Sequence, residues 1–241
     1  MILQKTIPIF IGYDERERAA TNVLIDSLYQ TSSIPIAITP IVTKQLRKLG
    51  IYNRAKDPKQ STAFSFTRFL VPYLCNYSGW AIFMDCDMLC RESISKLWEQ
   101  RKDEFSMMCV KHNHIPTEKT KFLNEVQSSY PKKNWSSLMI FNCSKCKALT
   151  PNYVNNASGL DLHRFNWLED DNLIGEIKGD WNHLIGVYEE NDKDHKSPLV
   201  HWTLGGPWFK ELRTKSGSTA AEWFAARDEA INLLKNENQQ N

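Results

Sequence analysis

Two aspartates stand two places apart in Asp85-Cys86-Asp87, directly behind the apolar run Ala81 to Met84. Side chains two apart on an extended segment point the same way, so the two carboxylates converge. Converging carboxylates repel each other, and a divalent cation relieves the repulsion; oxygen ligands of this kind suit Mg²⁺ or Mn²⁺. If Ala81 to Met84 is a strand, the pair lies at its carboxyl end, the edge where open α/β sheets bind ligands. The competing reading is a loop carrying two solvated acids.

His201 opens the segment His201-Trp-Thr-Leu-Gly-Gly-Pro-Trp208. A lone His at a strand end is ordinarily a satisfied core residue. Here Gly205 and Gly206 follow, and bare N–H groups at such a turn can form an anion-binding nest. A His ligand beside that nest would complete a metal–diphosphate site with the aspartates, and imidazole among carboxylates tilts the choice toward Mn²⁺. Arg68 sits among apolar neighbours in Phe64-Ser-Phe-Thr-Arg-Phe-Leu and needs an anionic partner. That partner is either an acid such as Asp85, or a phosphate or sugar-positioning carboxylate gripped by the guanidinium fork. Tyr13, in Gly12-Tyr13-Asp14, either stacks on a base or rims the core.

Asn142 closes an apolar run and needs hydrogen-bond partners, from a loop or from a sugar hydroxyl. Trp167-Leu-Glu-Asp-Asp171 and Trp181-Asn182-His183 bring acids and aromatics together, which suits a carbohydrate. The alternative there is a helix start capped by Asp170 or Asp171. Cys143 and Cys146 form a lone C-x-x-C, without the second pair that a structural zinc needs. No G-x-G-x-x-G and no G-x-x-x-x-G-K-[ST] occurs, which argues against dinucleotide enzymes and P-loop NTPases. No G-x-S-x-G or H-E-x-x-H occurs either.

The elements that must position these residues follow from periodicity. Ile7 to Tyr13 is expected to be a buried strand, ended by a helix whose capping box is Asp14 and Glu17. Ala20, Val23, Leu24 and Leu28 mark the apolar face of that helix, to about Gln30. Ile36 to Val42, Ala81 to Met84, Phe105 to Val110, Ser137 to Cys143 and Leu199 to Thr203 read as strands. Phe64 to Leu74 and Ile94 to Gln100 read as helices, with Pro72 ending or bending the first. Thr219-Ala-Ala-Glu222 is a capping box for an amphipathic C-terminal helix to about Lys235. The expectation is therefore an α/β fold with a mostly parallel central sheet flanked by helices, in one domain over 1–241, of which 214–241 form the C-terminal helix and polar tail. The irregular stretch from Lys111 to Trp135 and the region from Trp167 to Trp181 are the candidates for acceptor contact.

Composition narrows the function classes. The 241 residues carry 30 Lys plus Arg against 28 Asp plus Glu, a net charge of +2, with no like-charge block. A basic nucleic-acid module is excluded on that balance. No apolar run approaches the roughly 20 residues of a membrane span. Met1 to Phe10 lacks the features of a signal peptide, so a cytoplasmic setting with mostly free thiols is expected. The C-terminal helix has an apolar face for its own sheet or for a homodimer.

In order and spacing, the segments Ile9 to Asp14, Arg68, Phe83 to Asp87, Asn134 to Asn142, Trp167 to Asp171, Trp181-Asn182 and His201 to Trp208 resemble glycosyltransferases of the GT-A fold. The resemblance is to family 8, the glycogenin-like and lipopolysaccharide galactosyl- or glucosyltransferase-like group. It implies a nucleotide-sugar donor, most often a UDP-sugar, with Mn²⁺ (or Mg²⁺), hexose transfer to a glycan, lipid-linked or protein acceptor, and retention of anomeric configuration. It places Asp85, Asp87 and His201 on the metal, and Gly12, Tyr13 and Asp14 around the nucleotide. Arg68 and the Gly205-Gly206 turn would meet the donor, and Asp170 or Asp171 would lie near the transferred sugar. Ser136, Ser137, Asn142, Trp181 and Asn182 become the substrate candidates. The family's terminal motif, His-x-x-Gly-x-x-Lys-Pro-Trp, is altered: Gly comes later, Pro207 one place early, and no Lys precedes it. Lys210 is the candidate replacement. The competing functions are a metal-dependent phosphohydrolase or nucleotidyltransferase using Asp85 and Asp87, and a non-catalytic carbohydrate-binding protein.

Overall fold

A computed structural model describes residues 6–57, 60–113, 131–187, 196–213 and 218–237. Nine strands lie among these: β1 (Ile7–Gly12), β2 (Ile36–Ile41), β3 (Trp80–Met84), β4 (Met88–Cys90), β5 (Met107–Cys109), β6 (Leu138–Asn142), β7 (Ile174–Glu176), β8 (His183–Leu184) and β9 (Leu199–His201). Six form the main sheet in the order β2-β1-β3-β6-β5-β7, and three form a small sheet in the order β4-β9-β8. Within the main sheet β1 runs parallel to β2 and β3, and β5 parallel to β7, while β6 is antiparallel to both its neighbours.

Strands β1, β3 and β6 are apolar on both faces because both faces are covered, as expected of inner strands in an α/β sheet. Ile7, Ile9, Ile11, Ala81 to Met84 and Leu138 to Phe141 belong to one continuous buried core. Helix α1 (Arg18–Thr31) buries Ala20, Val23, Leu24 and Leu28, the face its spacing predicted. The C-terminal helix (Thr219–Glu237) anchors a second core. Its Trp223 packs there with Val23 of α1, Leu89 of β4, and Val200 and Trp202 of the β9 region. This places one apolar side chain of that helix on its own chain. Among the described residues, no helix is long and apolar enough to cross a membrane. All six cysteines are free thiols.

Three local expectations need correction. Phe64 to Leu74 is not one helix: a 3-10 turn (Thr67–Leu70) is followed by a short α-helix (Val71–Leu74). Pro72 sits in the first turn of the second piece, where its missing N–H costs no bond. Asp14 does cap, accepting the Arg16 N–H at 3.0 Å. Glu17, however, does not reach back: both its carboxyl oxygens are buried without a hydrogen-bond partner. Glu222 likewise leaves its helix start and grips Arg91, with Nε to Oε1 at 2.7 Å and Nη2 to Oε2 at 2.5 Å. Strands β4, β7 and β8 were not foreseen, since each is too short to show a period. Of the stretch from Lys111 to Trp135, residues 114–130 lie outside the described residues, as does the tail 238–241.

Candidate active site

The chain passes from β1 to β2 on one side and returns to β3 on the other, so a topological switch point lies between the ends of β1 and β3. Ligands in open α/β sheets bind at such a point. Gly12 ends β1 there, and Asp85 follows β3. The Asp85 N–H donates to the Ser137 carbonyl at 2.9 Å, which fixes the start of the aspartate turn against the beginning of β6. The turn leads into β4, whose antiparallel pairing with β9 sets Met88 opposite His201. The Trp202 N–H donates to the Asp87 carbonyl at 2.9 Å, locking that register.

Long-range pairing therefore delivers a histidine to the aspartates. One ligand atom from each of Asp85, Asp87 and His201 lies within 4.8 Å of the others. His201 Nε2 stands 3.1 Å from Asp87 Oδ1. Its ring is 1% exposed, and Nε2 makes no hydrogen bond. Two carboxylates and an imidazole nitrogen this close form a donor set that fits a divalent cation, with Mn²⁺ or Mg²⁺ matching the oxygen share. This fit rests on the buried nitrogen, which makes no hydrogen bond and stands against a carboxylate oxygen.

Arg68 makes the protein contact that one of its two readings expected. Its Nη1 lies 2.9 Å from Asp85 Oδ1 and donates to the Ser136 carbonyl at 2.8 Å. The guanidinium also lies over the rings of Phe64, at 5.2 Å, and Phe83, at 5.1 Å. It holds Asp85 in place from within the core. On the other side, His201 Nδ1 meets Asn182 Oδ1 at 2.8 Å. Asn182 Nδ2 reaches Ser137 Oγ at 2.8 Å and His112 Nε2 at 3.0 Å. Ser136 Oγ pairs with His163 Nδ1 at 2.8 Å. Ser136, Ser137 and Asn182, expected on the substrate, thus spend these contacts on the protein.

The β1 turn is a packed knot. Burial alone would push the Asp14 carboxyl up, but hydrogen bonds from Arg16 and Ala63 hold it below its ordinary 3.8. Those bonds run from Arg16 Nη2 at 2.8 Å and Ala63 N–H at 2.9 Å. These bonds make Asp14 an anchor for the loop. A Cβ on Gly12 would come 2.3 Å from the Phe64 ring, so glycine is required by packing. Tyr13 is half-buried beside it. In the second glycine turn, the Gly205 N–H donates to the Trp202 carbonyl at 2.7 Å, so it is not bare as expected. Gly206 packs under Trp208, whose ring would lie 2.1 Å from an added Cβ. Lys210 is exposed, in the 3-10 turn Lys210–Leu212.

Four expected contacts fall elsewhere. Asn142 is at the opposite edge of the sheet, because β6 runs antiparallel to β3 and pairs Asn142 with Trp80 rather than Met84. Its amide oxygen accepts from Ser144 Oγ at 2.8 Å. Trp181 is 4% exposed and belongs to the main core. Asp170 and Asp171 are exposed, in the turn before β7. That turn lies at the starting end of a strand parallel to β5, not at the carboxyl end. Asp170 caps the turn through the Asn172 N–H at 2.7 Å, and Asp171 pairs with Lys132 at 2.5 Å. The structure brings neither into the Asp85–Asp87–His201 cluster.

Sequence reasoning missed two members of the neighbourhood. His112 follows β5 at the site's own edge, a position that strand-end residues share with Asp85. Glu17 is 1% exposed. Its burial, and then the charges of Asp87 and Asp14, push its carboxyl well above the ordinary 4.5. Nothing local distinguishes Glu17 from a capping acid.

Residues 15–149 match the model of glycosyl transferase family 8. Protein CDI of Arabidopsis thaliana is 47% identical over 210 residues, covering 86% of this chain and 81% of that protein. Among solved structures, the galactosyltransferase LgtC, in complex with donor and acceptor sugar analogues, superposes with a TM-score of 0.57. It is 10% identical, over 92% of this chain and 96% of that one. The bifunctional glycosyltransferase WbbM in its apo form gives a TM-score of 0.56 at 12% identity, covering 94% of this chain. The chain spans 52%, about half, of the length of WbbM. At these identities the two structures testify to a shared fold.

Proposed function

The chain belongs to glycosyl transferase family 8 and has the GT-A glycosyltransferase fold, and from that premise we propose that it transfers a hexose from a nucleotide-sugar, in first place a UDP-sugar, with retention. The acceptor is a glycan, a lipid-linked group or a protein. We read residues 1–241 as one catalytic domain. The observation that carries the proposal is the Asp85, Asp87 and His201 cluster at the switch-point edge.

These three residues would hold Mn²⁺, or Mg²⁺. When bound, the metal supplies Lewis-acid neutralisation of the charge that grows on the departing diphosphate. The protein's part is preorganisation. Arg68 fixes Asp85, the β4–β9 register fixes Asp87 against His201, and the Asn182 relay fixes the imidazole. A site held this rigidly needs no reorganisation as charge develops. Gly12 and Tyr13 end the strand beside Asp85 and face the nucleotide in this reading. Lys210 is the exposed cation available to the diphosphate. The departing phosphate takes the acceptor's proton on the face it leaves, so no separate base is required. Asp170 and Asp171 are not needed for this chemistry.

The test is thermal melting with UDP, GDP and CMP, each with and without Mn²⁺, on the wild type and on Asp85→Ala/Asp87→Ala. A ligand that binds only the folded state raises the melting temperature by mass action. The expected result is a Mn²⁺-dependent rise with UDP that the double variant loses. A rise that survives loss of both aspartates would overturn the site. No rise with any nucleotide, in folded wild type, would overturn the donor reading.

A further inference from the structure

Resting on the metal reading of Asp85, Asp87 and His201, we propose that Asn182 is a positioning residue that fixes the tautomer of His201. It keeps the proton on Nδ1 and aims the Nε2 lone pair at Asp87.

The proton positions follow from counting donors. The Ser137 hydroxyl has one proton, and it donates that proton to the Asn134 carbonyl at 2.6 Å. A carbonyl offers no hydrogen in return. Ser137 Oγ therefore only accepts, and the Asn182 atom 2.8 Å away must be the amide nitrogen. The other end of the amide, 2.8 Å from His201 Nδ1, is then the oxygen, which requires a hydrogen on Nδ1. A neutral imidazole with its proton on Nδ1 carries its lone pair on Nε2. That lone pair points into the space shared with Asp87 Oδ1, 3.1 Å away, where only a proton or a cation relieves the contact. The second amide hydrogen goes to His112 Nε2 at 3.0 Å, which makes that nitrogen an acceptor too.

The backbone agrees. Asn182 has φ 67, in the left-handed region that asparagine tolerates better than most residues, and it is fully buried. Its conformation turns the amide between three partners from three elements: His201 of β9, Ser137 before β6 and His112 after β5. Such outer partners set the orientation and basicity of a ligating imidazole. Asn182 was expected on the sugar; both its amide hydrogens and one lone pair of its oxygen are engaged inside the protein.

The test has two readouts. Long-range proton–nitrogen correlation on histidine-labelled wild type in EDTA reads the tautomer, with His201→Asn supplying the assignment. The expected pattern is a proton on Nδ1 of His201, with or without a second proton on Nε2; a ring protonated on Nε2 alone overturns the proposal. The second readout is Mn²⁺ uptake, followed by the electron paramagnetic resonance of free Mn²⁺, in Asn182→Gly and Asn182→Asp. Glycine keeps the backbone conformation and removes the amide. Asn182→Gly should bind Mn²⁺ about 10- to 100-fold more weakly. Asn182→Asp keeps the acceptor oxygen beside Nδ1 and should bind Mn²⁺ more tightly than Asn182→Gly. A folded Asn182→Gly protein that binds Mn²⁺ like wild type overturns the proposal. If wild type itself takes up no Mn²⁺, the metal reading fails, and the tautomer measurement still decides the role of Asn182. The same measurement decides it if Asn182→Gly does not fold.

Discussion

Arg68→Ala should destabilise the protein by about 3 kcal/mol, the low end of the range for removing one partner of a buried ion pair. The guanidinium side chain is 6% exposed and Asp85 13%, at 2.9 Å. Truncating Arg68 takes the guanidinium away from a carboxylate that lies close to Asp87. It also leaves the Ser136 carbonyl without its donor and empties the space between Phe64 and Phe83. The low end applies because Asp85 keeps some access to water. In a chain of this length, 1 kcal/mol moves the melting temperature by about 2–4 °C, so the expected fall is about 6–12 °C. The assay is circular-dichroism melting in EDTA on Arg68→Ala, Asp85→Ala and the double variant. If Arg68 exists to hold Asp85, the double variant loses less than the sum of the singles, by more than about 0.5 kcal/mol. A melting temperature for Arg68→Ala within about 2 °C of wild type would refute the reasoning, as would strict additivity.

Three other perturbations follow from the same geometry. Glu17 holds its proton in the folded state where the unfolded chain has released it, because burial and then the Asp87 and Asp14 charges raise it above 4.5. The folded state then binds more protons, so this contribution is complete below pH 4.5 and is lost as pH climbs through the raised value. Glu17→Gln should therefore melt higher than wild type at pH 8 in EDTA and equal to it at pH 4; an equal gain at both would contradict this. Cys75 is half-buried and its thiol is lowered by a hydrogen bond from Cys143, whereas burial pushes Cys90 up to about 11 and Cys146 up to about 12. Iodoacetamide at pH 8, read by peptide mass, should label Cys75 first, since the thiolate is the nucleophile; first labelling at any other cysteine of the folded protein fails the prediction. Asp171→Asn removes a surface pair whose carboxylate is 71% exposed. It should cost at most about 1 kcal/mol and leave Mn²⁺-dependent UDP binding unchanged, and a lost melting shift would return Asp171 to the donor site.

Much of the frame was legible because its signals are local. Ile7 to Tyr13, Ala81 to Met84 and Ser137 to Cys143 announce themselves as apolar runs, and α1 by its 3.6-residue spacing. The convergence of Asp85 and Asp87 needs only extended backbone between them. Glu17 and Glu222 show the limit of such signals. Each satisfies a capping pattern, yet one is drawn under the aspartates and the other across to Arg91. Asn142 shows it again. Its own strand was recognised, but the direction of that strand decides which sheet edge it occupies, and direction is a property of the neighbours.

The sequence by itself determined an α/β fold, the placing of two carboxylates at the end of β3, and the family to which the chain belongs. Only the tertiary structure decided that His201 completes the cluster, that Arg68 faces Asp85, and that Asn182 serves a histidine. The division has a physical cause. Periodicity and apolarity are written within a dozen residues, and they fix which segments are buried. Which buried segments pair, and in what direction, is settled by the joint packing of the whole core, and it is those pairings that bring the ligating atoms together.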